Sequence, residues 1–157
     1  MDYLLLKWMH IVSSTLLFGT GLGSAFYKFM ADRGGNIESI VQTNRNVVLA
    51  DWLFTTPTAI LQPVTGVGLA LHAGYPLSSG WLVAALALYA IAGVCWLVVV
   101  VLQIRMRDIS LRVMAAGGPL AENYWHLARA WFWLGIPAFS AMVLIFYLMV
   151  VKPPLWG

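Results

Sequence analysis

The sequence predicts an all-α fold, a four-helix transmembrane bundle with both termini on the outer, periplasmic side. The first observation is composition: 61% of the 157 residues are hydrophobic, 10% are charged, and mean hydropathy is +0.83. A soluble domain is about half apolar and about a quarter charged, so these charges are too few to cover a water-facing surface. The second is that the apolar residues gather into four stretches of membrane length, since ~20 residues at ~1.5 Å each cross the ~30 Å hydrocarbon core. The third is that the breaks between them are short, which leaves one domain. A soluble globular fold and a disordered chain are both excluded.

The first stretch, Trp8 to Tyr27, is bracketed by Lys7 and Lys28. It is too long for a signal-peptide core, follows an acidic Asp2 and ends at no clear cleavage site, so it reads as a retained span. The second, Trp52 to Leu71, is uncharged but carries Pro57, Gln62 and Pro63, and each proline predicts a kink. The third, Trp81 to Leu102, contains the β-branched run Val98 to Val101, yet a lone strand leaves its backbone unpaired in lipid and helix is forced. The fourth, Ala130 to Val151, is interrupted by Gly135 and Pro137 and stops at Lys152-Pro153-Pro154. With their interfacial turns the helices are expected at about 4–30, 46–72, 81–105 and 124–151. Loops are expected over Asp32–Thr43, Ala73–Gly80 and Met114–Leu120.

The nine cations sort by loop rather than forming one basic surface, so no nucleic-acid partner is expected. Lys28, Arg33 and Arg45 flank the first loop, and Arg105, Arg107, Arg112 and Arg129 the third; the other end has only Lys7 and Lys152. The positive-inside bias puts the first and third loops in the cytoplasm, with Trp8, Trp81 and Trp156 in the outer aromatic belt. The expected location is a bacterial inner membrane, multi-pass and in contact with lipid. The single cysteine, Cys95, offers neither a disulfide nor a thiolate cluster.

Polar side chains are costly in lipid, so their angular position is informative. From His10, the residues Ser14, Leu17, Gly21, Ser24 and Lys28 follow at +4, +7, +11, +14 and +18, with Lys7 at −3. From Asp51, Thr55, Thr58, Gln62, Thr65 and His72 follow at +4, +7, +11, +14 and +21. The third span carries Tyr89, Trp96 and Gln103 at intervals of seven, and the fourth aligns Glu122, His126, Arg129, Trp133, Ser140 and Tyr147. Lys7, Ser14, Asp51, Thr55, Gln62, Thr65 and Arg129 are therefore assigned to the polar bundle interior. Most of these are the inward faces of a bundle, where small and polar residues pack, and Gly19 with Gly23 permits close helix approach. Asp51 needs a partner or a proton, and an ion pair with Arg105 or Arg129 is expected.

The three histidines sort by depth. His10 and His72 lie toward the outer side, and His126 is on the order of 25 Å away at the other end. If the two stripes face each other, His10 and His72 are candidate axial ligands to a haem iron. A single-histidine haem, a copper site at His10, or no cofactor are the alternatives. No hydrolytic triad, phosphate loop or paired-carboxylate site is visible.

Lys7-Trp8-Met9-His10-Ile11, at the start of the first span, resembles the first helix of the copper-resistance D-like superfamily, which includes HemJ-type protoporphyrinogen oxidases and several bacterial four-span families of unknown function. Asp51-Trp52-Leu53-Phe54-Thr55-Thr56-Pro57 and Gln62-Pro63-Val64-Thr65-Gly66 resemble the second span of one such family. Arg129-Ala130-Trp131, Gly135-Ile136-Pro137-Ala138-Phe139 and Met149-Val150-Val151-Lys152-Pro153 resemble its last. The resemblance implies a haem ligand at His10. The second ligand of HemJ-type proteins is a lysine on the third span, which has none here. Three functions are expected in order: a haem-b-binding, electron-transfer membrane protein; a copper-handling or copper-transport protein; and a non-catalytic helical subunit or small-molecule binder, with a homo-oligomer or a membrane complex as its partner.

Overall fold

The structure is a computed structural model and describes residues 2–156. Helix α1 (Tyr3–Gly34) starts at Asp2, whose carboxylate accepts from the Leu4 amide. It stops where Gly35 turns left-handed at φ 68°. Asn36 then caps α2 (Ile37–Ala50) by accepting from the Ser39 amide at 2.9 Å. A π-helical turn (Asp51–Thr55) joins α2 to α3 (Thr56–His72) as one 36-residue rod. After the loop over 73–79 come α4 (Gly80–Ala116), closed by Gly117 at φ 71°, and α5 (Glu122–Val151).

Among the described residues three rods are long and apolar enough to cross a membrane: Ile37–His72, Gly80–Ala116 and Glu122–Val151. The first helix has the length, at 32 residues. It is not among these three, whereas four spans were expected. The expected first loop is also corrected, because helix fills all of it except Gly35 and Asn36. Ile40, Val41, Asn44, Val47 and Val48 are buried at spacings of three and four, so this stretch is an amphipathic helix rather than a solvated turn.

The π turn follows from Pro57. Proline lacks an amide proton and its ring crowds the carbonyl four residues back. The ladder widens one turn earlier, where the Thr56 amide and hydroxyl both donate to the Asp51 carbonyl. Pro63 frees the Ala59 carbonyl in the same way.

The helices associate as α4 with α5, α1 with α3, and α2 with α4, while α3 scarcely approaches α5. Two apolar clusters close the ends: Ala70, Trp81, Leu82, Ala85, Ile145 and Leu148 at the terminal end, and Ile40, Met106, Tyr124 and Trp131 at the other, here called the basic end. The close approach between α1 and α3 uses α3's glycines. A Cβ at Gly66 would stand 3.1 Å from His10 Cε1, and one at Gly68 3.0 Å from Leu6 Cδ2. Gly19 and Gly23, expected to play this part, have open space where a Cβ would stand.

Candidate functional site

Between its closed ends the bundle is hollow. A cavity of about 390 Å³ lies among α1, the π turn, α4 and α5, and a second of about 420 Å³ lies between the α2–α3 rod and α4. Both share the wall Asp51, Ala59, Tyr89, Gly93, Trp96 and Gln103. The interval-of-seven stripe on the third span thus lines both. Helices α1 and α5 meet across the first cavity through rings rather than backbone. Phe18 stacks on Phe139 at 5.1 Å, and Phe29 lies 5.8 Å from Phe132. Between these pairs stand Gly21, Ala25 and Gly135, and lining residues Leu22, Phe132 and Ile136 are exposed, so the cavity opens sideways toward lipid.

Asp51 is buried at the basic side of the cavities. The Gln103 amide, its orientation assigned from its neighbours, donates to Asp51 Oδ2 and accepts from the Trp131 indole Nε1 at 3.2 Å. This corrects the expected ion pair: Asp51 is held by an amide, and Arg129 lies exposed beside His126, its nitrogen 2.9 Å from His126 Nδ1. Burying two charges in a low-dielectric interior is costly, and an amide answers a carboxylate without adding a second charge.

Lys28 was expected both beside the first loop and at the end of the polar stripe that starts at His10. It is 1% exposed. Its ammonium bonds Asp32 Oδ2 at 2.6 Å and the Tyr124 hydroxyl at 2.9 Å, and lies 5.1 and 5.7 Å from the Tyr124 and Trp131 ring centres. Tyr124 donates to Asp32 Oδ1 at 2.6 Å, and Asn44 donates to both Tyr124 and the Ser110 hydroxyl. Through Trp131, which serves Gln103 with its N–H and Lys28 with its face, a polar thread runs from Asp51 to Ser110 across all four rods. Sequence reasoning missed Asn44, Tyr124 and Asp32; the three-and-four spacing of Ile40, Asn44, Val47 and Asp51 was the available signal.

Toward the terminal end, His10 Nδ1 is 2.8 Å from Thr65 Oγ1. Thr65 back-bonds to the Leu61 carbonyl at 2.7 Å, which uses its one proton, so its oxygen accepts from His10 Nδ1–H. In the neutral imidazole the Nε2 lone pair is then left over. Gln62 Nε2 donates to the His10 carbonyl and to Ser13 Oγ, both at 2.9 Å. Gln62, Thr65 and Thr55 are buried. Lys7 and Ser14 are corrected: Lys7 is exposed, Ser14 is half-exposed and bonds its own helix at Ile11, and the buried neighbours are Leu6 and Ser13. At ~100° per residue, Lys7 and Ser14 lie on one flank of His10, and Leu6 and Ser13 on the other. The helix turns that second flank inward.

His72 is exposed in the last turn of α3, seven residues and ~10 Å along the axis from Thr65. Among the described residues no hydrogen bond joins it to His10, and no three His, Cys, Asp or Glu side chains gather as a metal-ligating set.

Long apolar helices around a hollow, partly polar interior define a multi-pass integral membrane protein. The chain belongs to the family described as predicted integral membrane proteins, DUF2269, which residues 4–153 match. No curated protein and no solved structure matches it.

Proposed function

We propose that this protein binds a small apolar molecule within the membrane, in the cavity between α1 and α5. The carrying observation is the cavity itself: about 390 Å³, apolar except at one edge, and open between Phe18/Phe139 and Phe29/Phe132. That size is in the range of small-molecule sites, and a few convergent polar groups in an apolar wall are their usual make-up. Gly93 and Gly135 line it, and a Cβ at either meets nothing within 4 Å. Leucine at either position starts into open space and is expected to take up part of the hollow. The test is mass spectrometry of small molecules co-purifying with wild type and with Gly93→Leu. A species present in the first and lost from the second supports the reading, and identical profiles overturn it.

A second reading is carried by His10. An imidazole that donates Nδ1–H to a neighbour presents Nε2 as a ligand, the arrangement found behind metal-bound histidines. Together with the resemblance of the first span to the copper-resistance D-like superfamily, this supports haem b at His10, in an electron-transfer role, or copper in its place. A reduced-minus-oxidised spectrum of protein from haem-replete cells, with metal analysis alongside, decides it. An absent Soret band removes the haem, and absent copper removes the alternative. A bacterial inner-membrane location with the termini outside, and a partner helix or second copy against the unused Gly19/Gly23 face, belong to the same set of proposals.

A further inference from the structure

Among the described residues Asp51 is the one carboxylate that lines the hollow, and it stands in the wall shared by both cavities, 6% exposed. The Gln103 amide and, one turn on, the Thr55 hydroxyl answer its oxygens. Both are neutral, so its hydrogen bonds are met but its charge is not. Among the described residues no lysine, arginine or histidine nitrogen lies within 4 Å of those oxygens. Lys28 is taken by Asp32, and Arg45, Arg105 and Arg129 are exposed. Buried charges in folded proteins are paired or are neutralised.

A proton would neutralise Asp51 and still leave about 390 Å³ of apolar hollow beside it. A cation on an apolar body answers both. Depth agrees with this. Asp51 immediately precedes Trp52, where the apolar run of its rod begins, so it stands at the basic edge of the hydrocarbon. An amphiphile entering between α1 and α5 keeps its charged group near the interface and lays its body toward mid-membrane. The walls suit both parts. Phe18, Tyr89, Trp96, Trp131, Phe132 and Phe139 line the hollow, and aromatic rings pack apolar groups and attract cations alike. Helix α1 packs against the π turn. His10 meets Thr65 and Ser13 meets Gln62, and the same antiparallel register brings Ser24, another lining residue, about level with Asp51. Its hydroxyl oxygen offers a second acceptor to a cation held there.

We infer that the first cavity takes a lipophilic amine, its ammonium paired with the Asp51 carboxylate and its apolar body lying between α1 and α5. This rests on the reading of the cavity as a small-molecule site and names the polar group of its ligand. The step is binding alone.

The test uses the full-length protein in nanodiscs of phosphatidylglycerol, a lipid without an amine. Amantadine is compared with 1-adamantanol, the same cage bearing a hydroxyl, and binding is measured by equilibrium dialysis with empty nanodiscs subtracted. The expected result is saturable binding of amantadine, with 1-adamantanol weaker by about tenfold or more, the size of one charge-assisted hydrogen bond. Asp51→Asn, which removes the charge at nearly constant shape, should lower amantadine affinity by the same factor and leave 1-adamantanol unchanged. Should Asp51→Asn fail to fold, Ser24→Lys brings an ammonium from the facing helix and should exclude amantadine instead. Adding phosphatidylethanolamine to the bilayer distinguishes the source of the amine. Competition with amantadine assigns the site to a lipid headgroup, and no competition assigns it to a free amine. If 1-adamantanol binds wild type as well as amantadine does, or Asp51→Asn binds amantadine like wild type, the ammonium assignment is overturned while the cavity reading stands. If neither probe binds, the assignment fails. The cavity reading falls with it only if Gly93→Leu also leaves the co-purifying species unchanged.

Discussion

The Tyr89 hydroxyl donates to the Ala59 carbonyl at 2.6 Å, and Ala59 is the residue whose helical donor Pro63 has removed. A proline in one rod and a tyrosine in another thus form a single device. Tyr89→Phe should destabilise the fold by about 1–3 kcal/mol, since it strands a buried carbonyl. Pro63→Ala restores the amide that serves the same oxygen, so Tyr89→Phe should cost less in that background. Unfolding of the two single variants and the double variant in mild detergent measures the coupling, and strict additivity would show the pair to be independent.

The Lys28 cluster should behave as one unit. Lys28→Met leaves Asp32 and Tyr124 facing each other without the cation, and breaking a buried pair from one side costs about 3–5 kcal/mol. Tyr124→Phe removes a donor to Asp32 and an acceptor for Lys28 and Asn44, at about 1–3 kcal/mol. Thermal unfolding in detergent reads both. A Lys28→Met protein as stable as wild type would place this lysine in the solvated role that its identity suggests.

Glycines on the two sides of α1 should respond in opposite directions. Gly68→Ala drives a methyl to 3.0 Å from Leu6 and should cost about 1–3 kcal/mol through overpacking. Gly19→Ala meets open space and should gain up to about 1 kcal/mol from helix propensity. Destabilisation by Gly19→Ala at concentrations where the protein self-associates, absent on dilution, would reveal a partner helix on that face.

Reporter fusions test the orientation expected from the cations. Arg33, Arg45, Arg105, Arg112 and Arg129 stay exposed at the basic end even with Lys28 withdrawn into the core. Alkaline phosphatase fused after Trp156 should be active, and a green fluorescent protein fused there should be dark. The reverse pattern would invert the topology.

The rods were legible because lipid enforces a simple rule, that long apolar runs are helical. The stripe Tyr89, Trp96, Gln103 was legible for a related reason: polar tips at fixed spacing in such a run have nowhere to face but inward. Lys28 was legible in part. Its place on the His10 stripe gave the face but not the depth, and only the approach of Asp32, Tyr124 and Asn44 from three segments makes a buried ammonium tolerable. Ser13 and Ser14 show a finer limit. Periodicity fixes a stripe to within a residue, and which flank of His10 faces α3 is decided by Gly66 and Gly68 on the other helix. The partner of Asp51 was missed because charge was matched to charge, whereas a lone amide two residues before Arg105 does the work at a lower solvation cost.

The π turn at Asp51–Thr55 holds one residue more than an α ladder needs. The wide turn therefore absorbs that residue without passing a rotation on to the rest of the rod. Deleting a single lipid-facing residue there, Trp52 or Leu53, would close the turn to an ordinary α ladder and leave Gln62 and Thr65 facing His10 and Ala59 facing Tyr89. The same deletion in the regular helix after Pro57 would rotate everything beyond it by about 100°. The π turn is thus the one stretch of this rod where a one-codon change in gene length is absorbed.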